Sequence, residues 1–244
     1  MMRRIDGYLT SMSPRAIAAL ACTGVLVGVA LTPFMAAVWA YEPGIAWSDS
    51  SSLVERAFGP WLESSGLLTF GRQSTPDREG LPYEVYGKGF FLVYLLMLPV
   101  FRTIRPADQN GRLLVRLAVW AWRAMYVAIW VAMVCDFVSY WGKSVPGAVG
   151  DALWSGAAAI EILTVMMLLL VITLVFAASS LIAKALPVWM AAALIAAIVS
   201  VVPVNVFVTG YWPNSFIVPI SIGCATIAVG RLVVRRTVTA AAAQ

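Results

Sequence analysis

Long apolar runs, broken by short polar and basic intervals, set the pattern of this chain from Ala16 onward. A helix needs about 20 apolar residues to cross a hydrocarbon core about 30 Å thick. Segments of that kind occur at 16–40 ("AIAALACTGVLVGVALTPFMAAVWA"), 85–104 ("VYGKGFFLVYLLMLPVFRTI"), 115–141, 157–183, 187–209 and 214–234. Within them the apolar residues are continuous rather than alternating, which is the pattern of bilayer helices. The expectation is an all-α fold, a polytopic transmembrane helical bundle of six spans that makes one integral-membrane domain over residues 1–244.

Residues 41–84 interrupt this pattern and form the one sizeable loop. In "SSLVERAFGPWLESSGLL", Leu53, Val54, Ala57, Trp61 and Leu62 recur at near-helical spacing. Ser51 or Ser52 is placed to cap such a helix, with Glu55 one turn on, and Pro60 predicts a split into two pieces. One reading makes the segment a cap over a cavity or a docking surface. The other, preferred here, rests it at the lipid interface with its tryptophans at headgroup depth. The following "GRQSTPDREGLP" has turn formers and charge and reads as an exposed loop.

Charge gives these spans a direction. One set of loops and span ends holds Arg3, Arg4, Arg15, Arg102, Arg105, Arg112, Arg116, Lys184, Arg231, Arg235 and Arg236; the other holds Arg56, Arg72, Arg78, Lys88 and Lys143. The excess recurs at alternate loops, so both termini are expected in the cytoplasm and 41–84 outside. An even number of spans requires the same arrangement. A rival reading treats "MMRR" and the first run as a secretory signal cleaved before Tyr41, although signal cores are usually about 7–15 residues and this run is longer. Neither a 20–50-residue repeat nor similarity between 1–143 and 144–244 is visible, so an inverted-repeat architecture has no support in the residues.

Composition then narrows the classes. The chain is 61% apolar and 12% charged, against roughly 25% charged in soluble domains, so a membrane location, the plasma membrane, is expected. The net charge of +5 is explained by topology rather than by nucleic acid. Cys22, Cys135 and Cys224 all fall inside apolar runs, and histidine is absent, which removes the commonest metal ligand and general base together. Phosphate loops, dinucleotide-binding glycines, paired CxxC motifs and nucleophile elbows are missing too. Neither enzymatic activity nor a cofactor or metal is expected.

What remains is a short set of polar and small residues. Gly24 and Gly28 form a GxxxG face, and Ala193 and Ala197 a similar one, both suited to close helix packing. The basic turn "RTIRPADQNGRLLVR" sets orientation, and Arg102, Arg105, Arg112 and Arg116 are also candidates for anionic lipid headgroups. Pro203, Asn205, Pro213 and Pro219 surround "GYWPN", either as kinks or as a broken-helix polar site. Arg123 can snorkel to the headgroups, with Trp120, Trp122 and Tyr126 as interfacial anchors. Asp136 and Glu161 are placed at similar depth on consecutive spans, roughly 8–10 Å below the outer headgroups at 1.5 Å per residue. They read either as carboxylates hydrated at the bundle rim or as a shared site for a proton or cation.

The functional expectation is a multi-pass membrane protein without evident catalysis, an assembly or accessory component that meets the bilayer and other membrane subunits. The alternative is a small transporter or solute-binding membrane subunit with an outward-facing carboxylate site built from Asp136, Glu161 and Asn205.

Overall fold

A computed structural model of the chain describes residues 9, 11–40, 46–49, 52–67, 87–106, 113–142, 144–164, 169–209 and 216–241. Among these residues the regular structure is entirely helical. The principal helices are α1 (Pro14–Ala40), α2 (Leu53–Ser64), α3 (Phe91–Thr103), α4 (Leu113–Gly142), α5 (Ala148–Leu163), α6 (Leu170–Ile182), α7 (Val188–Pro203) and α8 (Ile217–Ala241). A short 3-10 turn, Trp47–Asp49, precedes α2, and a π-helical stretch, Val204–Thr209, continues α7.

Four of these helical segments are long and apolar enough to cross a membrane: Pro14–Ala36, Leu113–Gly142, Val188–Thr209 and Ile217–Val234. α3 and α6 are apolar but shorter. α4 has neither proline nor glycine before its last residue, and at 1.5 Å per residue its 30 residues run about 45 Å. The bundle wears its apolar side chains outward. Leu26, Trp120, Val199 and Phe207 are each more than 60% exposed, and Val127, Val171, Val206 and Ile222 also face out. Soluble monomers rarely expose contiguous apolar surface on that scale; hydrocarbon is its natural solvent.

Packing closes around two helices. α4 lies against α3, α5 and α6, while α8 lies against α1, α3 and α7; α6 meets α7. Tyr94, Phe90, Phe101, Phe176 and Phe216 are fully buried in the resulting core. The first turns of α1 and α7, the last turn of α3 and the 228–234 stretch of α8 converge at one end of the bundle, which gathers Arg102 and Arg231. At the opposite end the indole of Trp141 donates to the Lys88 carbonyl at 3.2 Å, and Lys88 Nζ donates to Ser144 Oγ at 2.7 Å. Gly87 has no side chain because the Tyr140 ring occupies the place of its Cβ.

Several sequence expectations change here. The segment around Pro60 is one continuous helix, α2, rather than two pieces. A residue before proline is driven out of the helical region by a clash involving its own Cβ, and that residue is Gly59. The bare backbone of Gly59 also accepts the ring of Trp47. Ser52 caps α2 by accepting the Glu55 N–H at 3.3 Å, and its hydroxyl donates to the Val208 carbonyl at 2.9 Å. One side of α2 therefore docks on α1 and the π-helical stretch, while Leu53, Phe58 and Trp61 stay exposed.

In place of the single span expected over 157–183, two helices are described, α5 starting earlier at Ala148 and ending at Leu163, and α6 over Leu170–Ile182. Trp122 is buried and donates its indole N–H to the Phe101 carbonyl at 2.7 Å, so it anchors α4 to α3 rather than to the interface. Trp120 and Arg123 do face outward. The loop residues 68–86, the "GYWPN" residues 210–214, Arg112, and the basic residues Arg3, Arg4 and Lys143 lie outside the described residues.

Candidate functional site

Asp136 sits on α4 and Glu161 on α5, and the register of this helix pair brings them level. Gly142 of α4 lies so close to Leu153 of α5 that a Cβ there would fall 2.9 Å from the Leu153 Cβ. In an antiparallel pair, stepping six residues back from Gly142 reaches Asp136, and stepping eight on from Leu153 reaches Glu161. The first turns of α5 thus project beyond the end of α4, and Glu161, far along α5, meets Asp136, near the end of α4.

Both carboxyls are buried, Asp136 at 1% exposure and Glu161 at 3%. The rim placement, with each group hydrated at the edge of the bundle, does not describe this geometry. The Glu161 carboxyl lies next to that of Asp136, and it accepts the Tyr94 hydroxyl at 3.2 Å. Tyr94 comes from α3 and is itself fully buried. Below the carboxyl, Ser139 donates to the Asp136 backbone carbonyl at 2.9 Å. Neither Asp nor Glu has the reach to snorkel, and an ionised group costs about 2.5–3.5 kcal/mol at the centre of a membrane helix on insertion scales, less at this depth. Two ionised carboxylates side by side repel one another, and a proton shared between them removes that repulsion. Two adjacent carboxyls and a phenol have the donors and acceptors to share one proton.

Asn205 belongs to another part of the bundle. It is buried on the π-helical stretch that packs on α1 and α2. Its Nδ2 donates to the Val201 carbonyl at 2.8 Å, and it accepts the Thr209 hydroxyl at 3.4 Å. Proline at 203 removes a backbone donor just ahead of this stretch, and Asn205 and Thr209 bond within it.

The small residues sit at helix contacts. A Cβ on Gly24 would lie 3.1 Å from the Leu96 Cβ, and one on Gly28 would lie 3.2 Å from Val218 Cγ2, so this face of α1 meets α3 and α8. Ala193 and Ala197 meet Gly223 of α8, where an added Cβ would fall 2.8 Å from the Ala197 Cβ. At the basic end, the Arg102 and Arg105 guanidinium carbons each lie 5.5 Å from the Trp122 ring centroid. Arg231 donates to the Thr103 carbonyl at 2.9 Å. Arg116 is exposed on the first turn of α4.

Tyr94 and Gly223 escaped the sequence reading. The signal for Tyr94 was its hydroxyl, in the middle of "FFLVYLLML", which a buried tyrosine must pair. Gly223 had no glycine three or four positions away to mark it. Among the described residues no cluster of three His, Cys, Asp or Glu side chains gathers to hold a metal. Comparison with protein-family models, curated proteins and solved structures found no match to this chain.

Proposed function

We propose that this chain is a multi-pass protein of the plasma membrane, with six crossings and both termini cytoplasmic, that binds and releases a proton or small cation at the Asp136–Glu161 pair. This is the small-transporter or solute-binding-subunit reading. The observation that carries it is the carboxyl pair itself, closed off from solvent at the junction of α3, α4 and α5 and joined to Tyr94. Ionisable residues inside membrane helices are expensive, and where they persist they commonly mark ion or proton pathways. The antiparallel course of α3 and α4, joined near Lys88 and Trp141 at one end and by Phe101 and Trp122 at the other, agrees with crossings in alternating directions. The anionic headgroups expected near Arg102, Arg105, Arg112 and Arg116 belong to the same orientation.

Proteoliposomes carrying a pH-sensitive dye test the proposal. Wild-type protein is expected to dissipate an imposed proton or cation gradient, and Asp136→Asn and Glu161→Gln each to abolish that flux while the purified proteins stay folded. Flux at the wild-type rate in the double variant sinks the reading.

A second reading, the non-catalytic assembly or accessory component, is favoured by the exposed Leu53, Phe58 and Trp61 on α2. That side of α2 suits either the lipid interface or a neighbouring membrane subunit. A stoichiometric partner that copurifies in mild detergent and is lost on Trp61→Ser would select it.

A further inference from the structure

A groove of about 550 Å³ lies along α4 on the outside of the bundle. Among the described residues α4 forms most of its wall, from Trp120 to Val131, and Thr164 and Ile172 close it from the α5 and α6 side. Polarity is graded along it. Trp120, 71% exposed, and Arg123, also exposed, stand at the end nearer the start of α4. Ala124, Val127, Ala128, Val131 and Ile172 follow, and at the far end the Thr164 hydroxyl donates to the Ile160 carbonyl at 2.6 Å. Helical side chains lean toward the N-terminus of their own helix, which directs the Arg123 guanidinium to the Trp120 end. From Trp120 to Val131 the groove runs about 16 Å at 1.5 Å per residue. One leaflet's share of a hydrocarbon core about 30 Å thick is ~15 Å. The groove is one acyl layer long.

We infer that this groove seats one anionic phospholipid of the cytoplasmic leaflet, its phosphate on the Arg123 guanidinium and one acyl chain laid along Val127, Val131 and Ile172. A guanidinium meets phosphate oxygens through parallel hydrogen bonds, and the Trp120 indole N–H is a further donor at the same end. An arginine inside a membrane helix is costly unless its charge is met, and a bound phosphate meets it. An anionic headgroup is preferred to a zwitterionic one because the choline of the latter carries the same sign as the arginine. Lipid rather than a partner helix is the occupant because the wall ends at Val131, near the middle of Leu113–Gly142. A docked membrane helix would follow α4 onward past the exposed Phe137 and Trp141. A free phosphate would leave the apolar wall unused. The site differs from simple snorkelling, in which Arg123 meets any passing headgroup, because the groove also holds the chain beneath that headgroup. It rests on the reading of the chain as a membrane protein with the start of α4 at the cytoplasmic face, and not on the carboxyl pair.

The test is native mass spectrometry of the full chain, purified in mild detergent and supplied with phosphatidylglycerol or with phosphatidylcholine of identical acyl chains. One phosphatidylglycerol should be retained in preference. A basic residue near an anionic headgroup is worth enough that Arg123→Gln should lower its occupancy roughly fivefold. Val127→Trp, at a position 57% exposed, fills the groove without touching the core or the arginine, and it should lower retention as well. Arg116→Gln, an exposed charge earlier on α4 and outside the groove, should leave retention unchanged. Equal retention of the two lipids overturns the site, as does a loss in Arg116→Gln equal to that in Arg123→Gln. Full retention in Val127→Trp overturns the seating of the acyl chain. Displacement of the lipid by inorganic phosphate at comparable concentration makes the occupant a free anion and overturns the lipid assignment. A membrane polypeptide that copurifies in the lipid's place and is lost on Arg123→Gln overturns it too, in favour of a partner helix. Failure of the membrane reading is seen separately, as release of the chain from membranes by alkaline carbonate, and failure of the orientation as an external reporter after Arg112.

Discussion

A tyrosine in a helix otherwise made of Phe, Leu, Val and Met must find an acceptor for its hydroxyl, or the burial costs more than the ring contributes. Tyr94 finds Glu161, and Glu161 lies beside Asp136, so polar groups of three helices meet at one point. Each member removes a penalty the others would otherwise suffer. Tyr94→Phe keeps the ring and deletes the bond, and it should lower unfolding stability by about 1 kcal/mol, the net value of a typical protein hydrogen bond. Tyr94→Ala should cost more, about 3–5 kcal/mol, because it also leaves a cavity in the core. Thermal unfolding in detergent measures both. If Tyr94→Phe melts like wild type, the hydroxyl contributes nothing and the pair is held by α4 and α5 alone.

At the scale of helices, hydrocarbon gives no hydrophobic drive for one apolar helix to prefer another over lipid, so contact depends on how closely backbones approach. Gly24 and Gly28 let α1 settle on Leu96 and Val93 of α3 and on Val218 of α8; Gly223 does the same for α8 against Ala193 and Ala197. Gly24→Leu and Gly28→Leu should each destabilise the protein by roughly 1–3 kcal/mol, the usual cost of overfilling a packed contact. Both should also melt lower in detergent. Unchanged melting in both variants would mean that this face of α1 looks at lipid. The same reasoning explains α2: Gly59 beside Pro60 keeps the helix continuous and leaves room for Trp47, whose indole donates to Glu63 at 2.8 Å.

For the whole molecule, the alternation of basic and less basic loops predicts that reporters fused after Arg112 and after Gln244 behave as cytoplasmic, and one placed within 72–80 as external. An external C-terminal reporter breaks the six-crossing arrangement, and a mature chain that begins at Tyr41 replaces the first crossing with a cleaved signal. Helical class and the four long apolar helices were legible in the sequence, as was the asymmetry of charge. Each is a sum over about 20 consecutive residues, and a bilayer reads such sums without regard to which helix lies alongside. Asp136 and Glu161 stood out for the same reason, as charges in apolar runs. Their meeting with Tyr94, the start of α5 at Ala148 and the burial of Trp122 were not legible, nor was the bond between Arg231 and Thr103, which spans 128 positions. A helix apolar on every side carries no periodic stripe to tell its protein face from its lipid face. The sequence by itself thus determined which segments suit hydrocarbon and which ends carry the basic charge. Only the tertiary structure decided which faces touch, because that choice turns on single missing side chains and single buried hydroxyls rather than on summed hydropathy.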